Sequence, residues 1–188
     1  MGVLPFQKIR KLVKTESLVE NVEDLDKQLQ SAGIDLRLGR VYEAQLYSRE
    51  GIGFLKKNGS RRLPKLKLVA ESDGETVVFH RGNSYVLETR ESVNLPNDMT
   101  ARIQPRMSTC LLGLSLSTAD VDAGYKGGLR FSAYCVSPCE IEIGTRFCQV
   151  IFNRLEEPTE KPYQGFYQNL SSLDAGELKK REQSMKFK

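Results

Sequence analysis

The sequence predicts an all-β fold, a sandwich or barrel, on three observations. Short runs rich in β-branched and aromatic residues follow one another from residue 66 to 155: LKLVAES, TVVFHR, YVLETRESVNL, MTARIQ, GLRFSAYCV, CEIEIG and FCQVIFNRL. Gly, Pro, Asn or Asp separates each from the next, the punctuation of a many-stranded β domain. Helical spacing is confined to the N-terminal region.

Taken in order, residues 5–14 (PFQKIRKLVK) place Phe6, Ile9, Leu12 and Val13 on one helical face, with Pro5 suited to the first turn. Residues 24–30 predict a second short helix. In IDLRLGRVYEA (34–44), Ile34, Leu36 and Leu38 alternate with Asp35 and Arg37, so period two makes this a strand. Residues 51–65, rich in Gly, Lys and Arg, predict an exposed loop. His80 is expected to end a strand. Beyond about 156 no period-two pattern continues, and the last residues predict a solvated helix or disorder. The chain of 188 residues is long enough for one domain with a full core. It divides into a helical region (1–32), a β core (33–155) and a C-terminal segment with a basic tail (156–188).

Composition excludes several classes. No apolar run approaches the ~20 residues of a membrane span, and MGVLPFQKIRKLVK lacks the apolar block of a signal peptide. Phe6 stands where a myristoylation motif needs Ser or Thr. A cytoplasmic protein is expected. The net charge of +4 is concentrated in 56–67 and 179–188. Without interleaved aromatics this does not amount to a specific nucleic-acid face, and it suits a polyanionic small ligand. Cys135 and Cys148 fall in strand-like runs and are expected as small buried hydrophobes. The one histidine, His80, is followed by Arg81-Gly82, and Pro138-Cys139 lacks a second cysteine at the right spacing. That excludes zinc-dependent base deamination of the H-x-E…P-C-x-x-C kind.

The stretch that carries chemistry is STADVDAGYKGGLRFS (117–132), with Asp122 and Tyr125 three apart in a glycine-rich turn. Glycines at 124, 127 and 128 allow the backbone to approach a ligand closely. This turn lies in a longer run, SVNLPNDMTARIQPRMSTCLLGLSLSTADVDAGYKGG, that resembles the central segment of the dCTP deaminase and dUTPase family. AGIDLRLGRVYE resembles the family's S-x-D-x-R-L-G strand, GTRFCQVIF its G-x-x-I-x-Q-L-x-F segment, and KPYQGFYQN the deaminase tail. The resemblance spans about residues 6–170.

That resemblance implies a distorted β-barrel of the β-clip kind, a homotrimer, and sites shared between subunits. Each site would hold a pyrimidine deoxynucleoside triphosphate (dUTP or dCTP), with Mg2+ bound through the triphosphate and no metal held by the protein alone. It makes Asp122 the group that aligns and deprotonates water, a task a carboxylate performs within hydrogen-bond reach. Tyr125 would press against the deoxyribose and leave no room for a 2′-hydroxyl. Arg106 and Ser108 of PRMSTCL match the phosphate motif R-S-S-x-x-R, and an arginine fork suits phosphate oxygens. Gln149, Tyr163 and Tyr167 match further nucleotide-binding positions.

Departures bear on the reaction. Family deaminases carry a glutamate ten positions after the aspartate, where this chain has Ser132. Met107 and Leu111 replace a serine and the second arginine of the phosphate motif. Losing a general acid–base costs roughly 10²–10⁴ in rate. The expectation is therefore a dUTP diphosphatase, with Ser132 a nucleotide contact. The alternatives are dCTP deamination by a rearranged site, or a binding homologue with impaired turnover. Phe166 and Leu170 replace a phosphate-contacting lysine and a glutamine of the tail, with Lys161 or Arg154 as substitute cations. The glycine-rich R-G-x-G-G-F-G-S motif of dUTPases is missing.

Overall fold

Alternating apolar residues and frequent turn formers give this chain many short strands. The computed structural model describes residues 2–45, 53–57, 61, 62, 64–173, 178 and 181. The elements run β1 (Gly2–Val3), α1 (Phe6–Glu16), β2 (Val19–Glu20), α2 (Leu25–Gln28), β3 (Leu29–Gln30) and β4 (Gly33–Ala44). Then come β5 (Phe54–Leu55), β6 (Arg61–Arg62), β7 (Leu66–Ala70), β8 (Thr76–Phe79), β9 (Ser84–Asn94) and β10 (Met99–Pro105). Last are α3 (Met107–Leu111), β11 (Leu114–Ser117), β12 (Asp120–Val121), β13 (Lys126–Cys135), β14 (Cys139–Glu142) and β15 (Arg146–Arg154).

The antiparallel strands curl into a half-barrel, in the order β11-β13-β9-β4-β15-β10-β12. The central strand β4 serves both halves. Its first residues pair with β15, from Ile34↔Val150 to Arg37↔Arg146, and its later ones pair with β9, from Leu38↔Thr89 to Glu43↔Tyr85. The β4–β9 register shifts between Leu38 and Arg40. Gly39 sits at that shift, where a Cβ would lie 2.9 Å from the Arg90 nitrogen. No larger residue fits without moving β9.

The core collects Leu36, Leu38, Val41, Leu87, Val150 and Phe152, all fully buried. Each such side chain contributes about 1.5–3 kcal/mol relative to exposure. Cys135 and Cys148 are buried in it, as expected of small hydrophobes. Asp35 and Arg37 do not face solvent, contrary to a one-sided reading of β4. Asp35 is 2% exposed, and the Arg37 side chain is 11% exposed against a fully buried Glu91. The reason is that α2 packs on this face, with Gln28 reaching the Asp35 carbonyl and Glu91. Glu91 accepts from Arg37 Nε at 2.7 Å, from the Arg37 backbone at 2.8 Å and from Gln28 Nε2 at 2.9 Å.

Other details differ from the periodicity. Pro5 is the N-cap of α1, just outside its first turn. The second helix ends at Gln28, and Leu29–Gln30 turns into a strand paired with β4. Part of the expected 51–65 loop is a two-stranded pairing of β5 with β6. Residues 51, 52, 58–60 and 63 of that loop, and all of the basic tail 179–188 except Arg181, lie outside the described residues. Among the described residues no helix is long and apolar enough to cross a membrane.

Glu91→Ala strands the Arg37 guanidinium in the interior. It is expected to lower unfolding stability by about 3–5 kcal/mol in urea titrations. A loss within the roughly 1 kcal/mol of an exposed ion pair would contradict the role given to this carboxylate.

Candidate active site

Between β11 and β12 the chain leaves one half of the barrel for the other. Ser117 still pairs with Ser132 on β13, whereas Val121 pairs with Ala101 on β10. Thr118 Oγ1 pins the crossing by donating to the Ile103 carbonyl at 3.0 Å. The separation opens a groove of about 390 Å³, lined by Asp120, Asp122, Tyr125, Arg130 and Ser132 among apolar neighbours such as Val86 and Ile103.

Asp122 stands exposed at the groove, and among the described residues its carboxylate has no partner. It also borders a second hollow of about 420 Å³ lined by Lys161. Asp120, the neighbouring acid, is held by Arg102 at 3.0 Å. Tyr125 turns inward, 8% exposed, and donates its hydroxyl to the Gly128 carbonyl at 2.8 Å. Burial pushes that hydroxyl up to about 12, so it remains protonated at neutral pH. Tyr163 meets the Tyr125 ring edge to face at 5.4 Å.

The C-terminal segment forms the groove's outer wall through main-chain contacts with the turn. Tyr163 N–H donates to the Ala123 carbonyl at 2.8 Å, and Asn169 N–H to that of Lys126 at 2.9 Å. Gln168 accepts from Lys126 N–H and donates to the Gly124 carbonyl, both at 2.9 Å. The Tyr163 hydroxyl accepts from Tyr167 N–H at 3.2 Å. Tyr163, Tyr167 and Leu173 line the groove, while Phe166 and Leu170 are buried in packing. Gly124 has φ +82°, and a Cβ there would lie 2.6 Å from that of Pro162.

Arg106, Ser108 and Gln149 lie elsewhere. Arg106 follows Ala101 by five residues, about 16 Å along an extended strand. Its Nε pairs with Asp35 at 3.1 Å, and Nη1 donates to the Arg146 carbonyl at 2.9 Å. Gln149 Nε2 donates to the same carboxylate at 3.2 Å, and Arg146 approaches it at 3.5 Å. Ser108 is exposed on α3. Burial raises the Asp35 pKa, while Arg106, Gln149 and Arg146 oppose the rise. Two partly exposed guanidiniums around one buried acid leave a surface suited to an anion. Of the substitute cations, Arg154 is paired with Asp98, whereas Lys161 lies beside Asp122 in the second hollow.

Of the residues expected from sequence, the structure brings Asp122, Tyr125, Ser132, Tyr163 and Tyr167 together in one groove and leaves Arg106, Ser108 and Gln149 outside it; sequence reasoning puts all eight in one site. It misses Asp35, Gln168, Arg130 and Glu88. Asp35 was visible as the acid of the strand motif, but its partners come from distant strands. Among the described residues no group of three or more His, Cys, Asp or Glu converges on a metal site. The oxygens of a triphosphate, with water, would supply most of a magnesium ion's ligands, which would leave the Asp122 carboxylate free of the metal.

Two outcomes follow. With its pKa above 3.8 in the folded state, Asp35 binds a proton more tightly folded than unfolded. Its contribution to stability therefore falls as pH rises from 3.8 through the raised value. Arg106→Ala should move the Asp35 carboxyl further up in a ¹³C NMR titration, and an unchanged or lower pKa contradicts the pairing. Gly124→Ala should detach the segment from Pro162 to Asn169, giving faster hydrogen exchange there while the barrel stays protected. Unaltered exchange contradicts the contact.

Residues 3–155 match the family model described as dCTP deaminase-like. A dCTP deaminase, dUMP-forming, from Persephonella marina is 33% identical over 180 residues, 94% of this chain and 97% of the relative. The dCTP deaminase of Pyrococcus horikoshii is 35% identical over 181 residues, 95% of this chain and 99% of the relative. A probable deoxyuridine 5'-triphosphate nucleotidohydrolase from Archaeoglobus fulgidus is 35% identical over 170 residues, 89% and 96% of the two chains. Among solved structures, 2'-deoxycytidine 5'-triphosphate deaminase from Agrobacterium tumefaciens superposes with a TM-score of 0.62 at 26% identity. That match covers 81% of this chain and 48% of the other, so this chain spans about half its length.

Proposed function

The chain belongs to the dCTP deaminase and dUTPase family, and from that premise we propose that it hydrolyses dUTP to dUMP and diphosphate, with Asp122 activating the water. At the coarser level it is a pyrimidine deoxynucleoside triphosphate-processing enzyme. The observation that carries the hydrolytic reading is the inventory of acids in the groove. Among the described lining residues the carboxylates are Asp120 and Asp122, and Asp120 is engaged by Arg102. Asp122 is the base left to act, and β13 offers the Ser132 hydroxyl where deamination calls for a carboxylate.

In this mechanism Asp122 accepts a proton from water as the oxygen attacks the α-phosphorus. The bond to the bridging oxygen breaks and diphosphate leaves. Magnesium, carried by the triphosphate, would spread the charge that develops on the phosphate oxygens. Tyr125, fixed by its bond to Gly128, would face the sugar. Tyr163 and Tyr167 would wall the nucleotide from water. A homotrimer is part of the proposal. Arg106 and Ser108 lie beyond the end of β10 and Gln149 lies on β15, outside the lining of their own groove, and they would meet the triphosphate in a neighbouring copy's. We place the protein in the cytoplasm as one domain, with 1–32, 33–155 and 156–188 as helical region, core, and lid with tail.

The relatives' names favour a second reading over the first: deamination of dCTP to dUTP and ammonia. The Persephonella and Pyrococcus proteins and the superposed structure all carry deaminase names. Here the proton carrier would have to be rearranged, because a serine hydroxyl is neither acidic nor basic enough near neutrality to act as a general acid–base.

Incubation with dUTP or dCTP and magnesium, with products identified by mass spectrometry, separates the readings. Hydrolysis predicts dUMP and diphosphate from dUTP, with a fall of about 10²–10⁴ in kcat for Asp122→Asn. Ammonia from dCTP without hydrolysis of dUTP establishes the second reading instead. Binding of both nucleotides without turnover identifies an impaired homologue.

A further inference from the structure

We propose that Arg130 reads the pyrimidine base, donating from Nη1 to a ring carbonyl oxygen of the bound nucleotide. The inference deepens the proposed function and rests on the groove being the nucleotide site. Arg130 is the cationic residue among the described groove-lining side chains, and its side chain is 8% exposed. Its Nε pairs with Glu88 at 2.8 Å and its Nη2 donates to the Leu170 carbonyl at 2.8 Å. Among the described residues Nη1 has no hydrogen-bond partner, and it is covered, so a base reaches it only once a neighbouring side chain moves aside. A buried donor left unsatisfied is disfavoured and calls for an acceptor.

The chemistry of that acceptor follows from the surroundings. Glu88, itself 8% exposed, is the cross-strand neighbour of Arg130 in the β9–β13 register and neutralises it. A neutralised guanidinium offers a directional N–H rather than an anion site, so it suits a carbonyl better than a phosphate. The groove around it is largely apolar and aromatic, with Tyr125, Tyr163 and Phe131 among its walls. Such walls fit a flat, uncharged ring. Arg130 is also two residues from Ser132 on β13, so both project from the same face. Uracil and cytosine share the 2-oxo group, and uracil alone has a 4-oxo group.

Calorimetric titration of dUMP and dCMP into the full chain tests the assignment with Arg130→Lys, which keeps the charge opposite Glu88 and loses the fork. Binding is expected to weaken about 10- to 100-fold, the range for a hydrogen bond to a charged group. Weakening of both nucleotides assigns the 2-oxo group, and weakening of dUMP alone the 4-oxo group. Arg40→Ala is the control. It removes another contact of Glu88 and the 3.1 Å bond to the Ser171 carbonyl, but Arg40 does not line the groove. An equal loss in Arg40→Ala would mean that Arg130 acts by holding the C-terminal segment, and would overturn base reading. Unchanged affinity in Arg130→Lys would overturn it too, leaving the groove reading intact. If the native chain binds neither nucleotide, the groove reading itself falls and this inference with it. Should Arg130→Lys fail to fold, 2-thio- and 4-thio-dUMP probe the native chain. One should bind about tenfold more weakly than dUMP, because sulfur is the poorer acceptor, and equal binding of all three refutes the contact.

Discussion

The seam between β4 and β9 holds two arginine–carboxylate pairs, and the geometry on both sides depends on them. Arg37 with Glu91 and Arg40 with Glu88 are each three residues apart on their strands, on either side of the register shift at Gly39. Arg37 and Glu91 meet Glu23 and Gln28 on the covered N-terminal side, whereas Glu88 meets Arg130, which lines the groove. A slip of one residue would strand both acids against apolar neighbours, which makes the register costly to change. Buried pairs of this kind add little net stability compared with apolar residues. What they define here is alignment.

That alignment reaches the groove through Glu88, which is shared by Arg40 and Arg130. Each of these arginines also donates to a carbonyl of the C-terminal segment, Ser171 and Leu170 respectively. The strand that shapes the groove floor and the segment that walls its outer side are thus joined through one carboxylate. The partly exposed cations around Asp35 form a separate cluster, on the half of the barrel where β4 pairs with β15. On the proposed reading, one chain carries a slot for the ring and a patch for the phosphates without bringing them together.

Much of this architecture was legible in the residues. The runs 34–44, 85–95 and 128–136 located the long strands, and the glycines of 124–128 marked the turn. The two-residue strands β1, β2, β12 and the β5–β6 pair were not legible, because period two has no meaning over so short a span. Helix α3 was missed because MSTCL has neither an amphipathic face nor a capping residue; Arg106 occupies the N-cap without a side-chain bond. At the site, Asp122, Tyr125 and Ser132 stood out from one contiguous stretch. Arg106 did not reveal its acceptor, since Asp35 is distant in sequence and meets it only across β15. Glu88 and Arg130 read as ordinary polar positions of half-buried strands, and only their cross-strand register joins them.

The way the C-terminal segment grips the turn has a consequence for how the two can diverge. Tyr163, Gln168 and Asn169 hydrogen-bond peptide groups of residues 123–126, and the Tyr125 ring against Tyr163 is the side-chain contact beside them. Apart from that ring, the segment depends on the backbone path of the turn, with Gly124 kept bare. Residues lining the groove can change while the segment stays seated, so the inner surface and its outer wall are separable properties of this scaffold.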